Sequence, residues 1–254
     1  MLFQRLLRSV QQSLGFCWSF LIYYGLPFHH RALTRIYAPF IRPGDLCFDI
    51  GAHLGDRIRA WSKLGARTIA LEPHPGMMSW LRRWYGHQTN VVLIEQAVGA
   101  QLGAGTLWIS RLTPSVSTLS QTWLTTVQNN RRFAGVRWEE QVPVNVTTLD
   151  ALIAQFGRPS FCKIDVEGTE LDVLKGLSQA LPALSFEYIP VMIEMALGCI
   201  HRLSQLGQYE YNWRVSEFPR LRSPVWLNQR DMAANLTRMS PESNSGDVYA
   251  RLKS

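Results

Sequence analysis

From Pro43 onward the chain alternates short apolar runs with amphipathic stretches, the pattern of a parallel sheet flanked by helices. Leu46 to Ile50 (LCFDI) reads as a first strand, Asp56 to Leu64 as a helix, and Arg67 to Glu72 (RTIALE) as a second strand. A helix starts near Pro75, whose fixed φ suits a first turn. Asn90 to Val98 (NVVLIEQAV) reads as a third strand, Gly105 to Trp108 as a further short one, and Val142 to Val146 as another, followed by a helix over TLDALIAQF. Phe161 to Asp165 is the fourth strand, and the helix after it places Leu171, Leu174 and Leu177 on one face. Leu184 to Ile189 is the fifth. A helix over Val191 to Leu206, a strand at Tyr209 to Val215 and a closing strand from Asp247 to Leu252 complete the sheet. Residues 111–141 are polar with weak periodicity and read as a loop insertion of the kind that covers an active site.

The first 42 residues stand apart from this pattern as an apolar, basic extension, with residues 43–254 as the catalytic domain. No charge falls between Arg8 and Arg31, and Leu14 to Phe28 is apolar and aromatic. That run is shorter than the roughly 20 residues a membrane span needs, and no small-x-small cleavage site follows it. The expectation is a helical extension packed on the domain, with peripheral membrane contact through residues 1–30 as the functional alternative. The net charge is +7, yet five arginines without an acid in the first 44 residues carry most of it. No stripe of Lys and Arg interleaved with aromatics follows, so nucleic acid is not an expected partner. Cys17, Cys47, Cys162 and Cys199 are widely spaced and form no zinc pattern, which suits free thiols in the cytoplasm.

Four motifs carry candidate chemistry. Asp49-Ile50-Gly51-Ala52-His53-Leu54-Gly55 follows the first strand. Its glycines allow a tight turn and close approach to a ligand, but the G-x-G pair of a dinucleotide site is missing. An acid before the first glycine suits a cofactor with a positive end. Glu72, at the end of the second strand, can accept from both hydroxyls of a ribose. Gln96 and Ala97, at the third strand's end, would face an adenine. Asp165, at the fourth strand's end, and Glu187, near the fifth's, would share a pocket, and like charges held close raise one pKa and can create a general base. Glu170 has a simpler role as a charge at a helix N-terminus. His53, within the glycine turn, is a candidate cofactor-binding residue and a second candidate base. Asp165, Glu167 and Glu187 could offer oxygens to a metal, but no His joins them at a recognisable spacing, so none is expected.

Together these residues resemble the FkbM family of methyltransferases, over roughly Pro43 to Leu252. The most specific stretch is KIDVEGTELDVLKGL (Lys163 to Leu177). DIGAHLG, ALEPHP, QAVG, TTLDAL and SGDVYARL are also similar, although the family more often has Asn where His53 stands. The resemblance implies an α/β class I methyltransferase fold of Rossmann type, with a mostly parallel seven-stranded sheet and helices on both faces. It implies S-adenosylmethionine as donor and O-methylation of a hydroxyl on a sugar, glycan or secondary metabolite. Asp49, Gly51 and Gly55 would then bind the cofactor's amino acid end, Glu72 its ribose, and Asp165 and Glu187 would face the acceptor. A non-catalytic binding module on the same fold is the alternative, and a nicotinamide-dependent dehydrogenase a third reading that the missing G-x-G pair disfavours.

Overall fold

The computed structural model describes residues 29–128, 130, 133–216 and 220–253. After α1 (His29–Tyr37) the chain runs β1 (Leu46–Ile50), α2 (Asp56–Lys63), β2 (Arg67–Leu71), α3 (Pro75–Tyr85) and β3 (Val91–Ile94). β4 (Ala97–Val98), β5 (Gly103–Ile109), α4 (Gln121–Val127), β6 (Glu140–Thr147) and α5 (Leu149–Phe156) follow. The rest is β7 (Phe161–Ile164), α6 (Glu170–Lys175), β8 (Ala183–Tyr188), α7 (Ile193–Leu206), β9 (Tyr209–Val215), α8 (Gln229–Thr237) and β10 (Gly246–Leu252).

The main sheet has seven strands in the order β3-β2-β1-β7-β8-β10-β9. The first five are parallel, and β10 is antiparallel to both neighbours. Strands buried on both faces must be apolar throughout, and β1, β7 and β8 largely are. Phe48, Ile50, Ile164 and Phe186 pack toward α5, α6, α7 and α8 through Leu152, Leu174, Ile200 and Met232. Cys47, Phe161 and Tyr249 face the other way, onto Leu33, Ile36 and Tyr37 of α1 and Trp61 of α2. Residues 29–41 of the extension therefore join the core. Residues 1–28, most of the 1–30 segment on which the membrane-contact expectation falls, lie outside the described residues. No helix among the described residues is long and apolar enough to cross a membrane.

Besides α4, which stands where residues 111–141 read as a loop and buries Trp123, Leu124 and Val127, two elements differ from the sequence expectation. The run Asn90 to Val98 is not one strand. β3 ends at Ile94, level with the end of β2, and exposed Glu95 pairs with Arg82. Ala97 and Val98 then join β6 in a second, three-stranded sheet of order β4-β6-β5, so the expected short strand at Gly105 to Trp108 also belongs there. The second difference is α8, which the apolar pattern does not predict. It is capped by the Asn228 side chain and buries only Met232 and Leu236, too few apolar positions to set a visible period.

Candidate active site

The carboxyl ends of β1, β2 and β7 open into a cavity of about 730 Å³, measured to its mouth. Sequence builds its floor through Gly51, which sits at φ +82°. The N–H groups of Gly51 and Ala52 both donate to the Leu71 carbonyl, tying the turn to the end of β2. A Cβ on Gly51 would overlap the backbone carbonyl oxygen of Asp165, so only glycine lets the turn close against β7. Gly55 does not line the cavity. It caps α2 at φ +83° and packs under Tyr85 and Leu81.

Glu72 lines the cavity and is 5% exposed. Its Oε2 accepts from the His53 N–H and its Oε1 from the His74 N–H, each at 2.8 Å. Burial pushes its pKa up to about 7, against the pull of these two N–H donors. His53 lines the cavity at φ +52°, and burial lowers its imidazole to about 4, so the ring is neutral. Gln96 and Ala97 also line the cavity, as do Pro73, Met77 and Val98. Asp49 stands behind the turn instead of in the lining. It is fully buried, and neither carboxylate oxygen has a hydrogen-bond partner among the described residues. Burial raises its pKa to about 8, with Arg57 the strongest opposing charge.

Asp165 lines the cavity at the end of β7, where its Oδ2 meets Arg57 at 2.8 Å and Lys163 at 3.3 Å. Lys163 is fully buried and also bonds Asp247, which in turn bonds Arg214. Burial works against the Lys163 charge, and Asp165 and Asp247 more than offset it, so its pKa lies above the ordinary lysine value. One carboxylate of the lining is thus anchored by a chain of ion pairs running into the core. Glu187 reaches this acid cluster but does not line the cavity. Oxygens of Asp165, Glu167 and Glu187 lie within 4.8 Å of one another, a spacing a metal ion could use. Burial and mutual repulsion hold Glu167 and Glu187 well above the usual carboxylate range.

The sequence motifs assign no role to Arg57, and they offer Glu167 only as a metal oxygen. Both line the cavity. Glu167 sits at φ +54°, a strained conformation for a non-glycine residue. Its backbone is pinned from both sides: Thr118 Oγ1 donates to its carbonyl, and Glu170 accepts from the N–H groups of Val166 and Gly168. Glu170 thus caps the acid loop as well as starting α6. Residues 111–141 contain α4, whose fully buried Trp123 packs on Gly168, and they close the cavity with Pro114, Ser115, Ser117 and Leu119.

The residues fit a sulfonium nucleoside. Gly51 lets the turn close against β7 without a Cβ, and Glu72 presents a buried carboxyl to the cavity that can accept from ribose hydroxyls. The sheet order and the glycine turn over its strand ends define a class I S-adenosylmethionine-dependent methyltransferase. The model of the methyltransferase FkbM domain matches residues 49–202, and the chain belongs to that family. No curated protein matches the sequence. Similar solved structures include a TehB-like SAM-dependent methyltransferase from Corynebacterium glutamicum, with 10% identity and a TM-score of 0.49, covering 96% of this chain and 99% of that one. Precorrin-6y C5,15-methyltransferase from Geobacter metallireducens has 13% identity and a TM-score of 0.44, over 89% and 87%. An rRNA methylase from Streptococcus thermophilus has 10% identity and a TM-score of 0.42, over 88% and 94%. At these scores the likenesses carry no argument about the substrate.

Proposed function

We propose that the enzyme methylates a hydroxyl oxygen of a sugar, glycan or other metabolite in the cytoplasm, with Asp165 as the residue that orients the hydroxyl and takes its proton. The observation that supports this is the position of Asp165: it lines the cavity beside the glycine turn and is fixed there by Arg57 and Lys163. In this reading Gly51 and His53 bound the methionine arm, with Gly55 and Asp49 supporting the turn from behind. Glu72 accepts from the ribose hydroxyls, and Gln96 and Ala97 flank the adenine.

S-adenosylmethionine supplies an electrophilic methyl group when bound. What the chain must do is hold the acceptor oxygen in line, about 3 Å from that carbon, and remove one proton. The transfer makes one O–C bond and breaks one S–C bond, and the hydroxyl proton passes to the Asp165 carboxylate. Positioning of this kind is worth up to about 7–11 kcal/mol in favourable cases, and a placed base about 10²–10⁴-fold in rate. Glu187 assists from behind the cavity wall, in the same cluster as Asp165 and Glu167, with its oxygen within 4.8 Å of theirs. The Ser and Leu side chains contributed by residues 111–141 form the acceptor side, a mixed surface suited to a hydroxylated ring.

The test is incubation of the full chain with methyl-labelled S-adenosylmethionine and cell extract, followed by mass analysis of what gained a methyl group. A new methyl ether supports the reading, and label on nitrogen, carbon or nucleic acid overturns it. Asp165→Asn should keep cofactor binding while turnover falls by about 10²-fold or more. Near-normal turnover would remove the base role.

A further inference from the structure

The cavity carries its charges unevenly. Among the described residues that line it, Arg57 is the only cation, whereas Glu72, Asp165 and Glu167 are acids. Burial keeps His53 neutral. Arg57 belongs to the first turn of α2 and is 8% exposed. Its Nη1 donates to Asp56 at 3.2 Å and its Nη2 to Asp165 at 2.8 Å. Acids from two elements therefore hold the guanidinium against the cavity wall and keep it from swinging into solvent. A guanidinium has five N–H groups, so these two bonds leave others uncommitted, and Nε has no partner among the described residues.

The donor of a class I methyltransferase carries one anionic group, the carboxylate of its methionine arm. A carboxylate taken from water needs a cation or several N–H donors. In many anion sites a glycine turn supplies them from its backbone. Here that supply is spent inside the protein. The N–H groups of Gly51 and Ala52 go to Leu71, that of His53 to Glu72, and that of Gly55 to Ala52. Side chains must take the carboxylate, and among the described residues of the lining Arg57 is the one cation.

We propose that Arg57 is a further cofactor-binding residue: its acid-tethered guanidinium holds the carboxylate of the methionine arm. The proposal rests on the cofactor reading of the cavity and names the partner of one group within it. It also gives the Arg57–Asp165 pair a double task, because one guanidinium then links the cofactor's carboxylate to the acid at the acceptor end.

Calorimetric titration of the full chain separates these claims without any acceptor. The probes are S-adenosylmethionine and its decarboxylated form, which differ in the carboxylate alone. The measured quantity is the ratio of their two affinities in the wild type, in Arg57→Gln and in Arg57→Lys. We expect the ratio to fall in Arg57→Gln by about tenfold or more in favour of the decarboxylated probe, the size of one charge-assisted bond. Arg57→Lys, which keeps the charge but not the planar fork, should fall by a smaller factor. A melting curve reports whether each variant folds, and Arg57→Lys decides if Arg57→Gln does not. A ratio within about threefold of the wild-type value in the folded variants overturns the role of Arg57 while leaving the cofactor reading in place. Failure of the wild type to bind either probe overturns both.

Discussion

Glu72→Gln is the perturbation whose outcome the geometry constrains most tightly. Each oxygen of Glu72 already accepts one backbone N–H, from His53 and from His74, both at 2.8 Å. A glutamine presents one oxygen and one NH₂, so one of the two N–H donors must face another donor. A buried donor left unmatched costs about 1–3 kcal/mol. For a chain of this size that lowers the melting temperature by about 2–12 °C. Cofactor affinity should fall separately, because ribose hydroxyls would lose a charged acceptor. A hydrogen bond to a charged group contributes about 1.5–3 kcal/mol, or about 10- to 150-fold in Kd. The pH dependence gives an independent check. Burial lifts the free Glu72 to about 7, whereas ribose hydroxyls favour the ionised form. Affinity for S-adenosylmethionine should therefore weaken about tenfold per pH unit below 7. Stability runs the other way. A carboxyl raised on folding stabilises the free protein below the ordinary glutamate range, and that contribution is lost as pH rises through 7. Titration calorimetry below the melting point of both proteins measures the affinity trend, and melting curves across pH measure the stability trend. A Kd for Glu72→Gln within about threefold of wild type, together with a pH-independent wild-type Kd, would refute the reasoning.

Lys163→Met breaks a fully buried ion-pair chain and leaves Asp247 and Asp165 each short of a cation; it should cost about 3–5 kcal/mol, seen as a fall of about 6–20 °C in melting temperature. Gly51→Ala should abolish detectable cofactor binding in calorimetry, since its Cβ meets the Asp165 carbonyl and its φ of +82° disfavours alanine. Dialysis against a chelator should leave cofactor binding and methyl transfer unchanged, because Arg57 and Lys163 already offset the Asp165 charge; loss of activity restored by magnesium would instead make the Asp165, Glu167 and Glu187 cluster a metal site. A chain starting near Arg31 should sediment with membranes less than the full chain if the first 30 residues touch lipid, and equal sedimentation would remove that idea.

The main sheet is legible in the sequence because its parallel strands are largely apolar and end at recognisable turns, while β9 and β10 mix polar and apolar positions. β1 and β9 fall where the apolar runs place them, and β10 begins one residue earlier. The Asn90 to Val98 run misleads for a physical reason: a continuous apolar stretch does not say that its two halves pair with different partners. Glu95 and Gln96 are the only signal of the change of sheet. At the site, Gly51 and Glu72 are legible because a tight strand-to-helix turn demands glycine and because an acid ending an otherwise apolar strand is costly to bury without a ligand or a donor. Arg57 is not, since an arginine within DRIRAWSK looks like any charge on an amphipathic helix, and only the fold brings it to Asp165 across 108 residues of chain. The strand position of Glu187 predicts a side chain facing the cavity, but the structure places it with the acids and leaves Glu167 at the wall.

The hydroxyl of Thr118 and the indole of Trp123 join the polar insertion to the residues following β7. If this segment meets the acceptor as proposed, it is thereby also a mould for the carboxylates beside it. Swapping residues 111–141 for those of a relative would alter which molecule enters and, in the same stroke, the angle at which the protein presents its acids. On the proposed reading selectivity and turnover would be inherited together, and an engineered change in one that leaves Thr118 and Trp123 in place is the route to varying it alone.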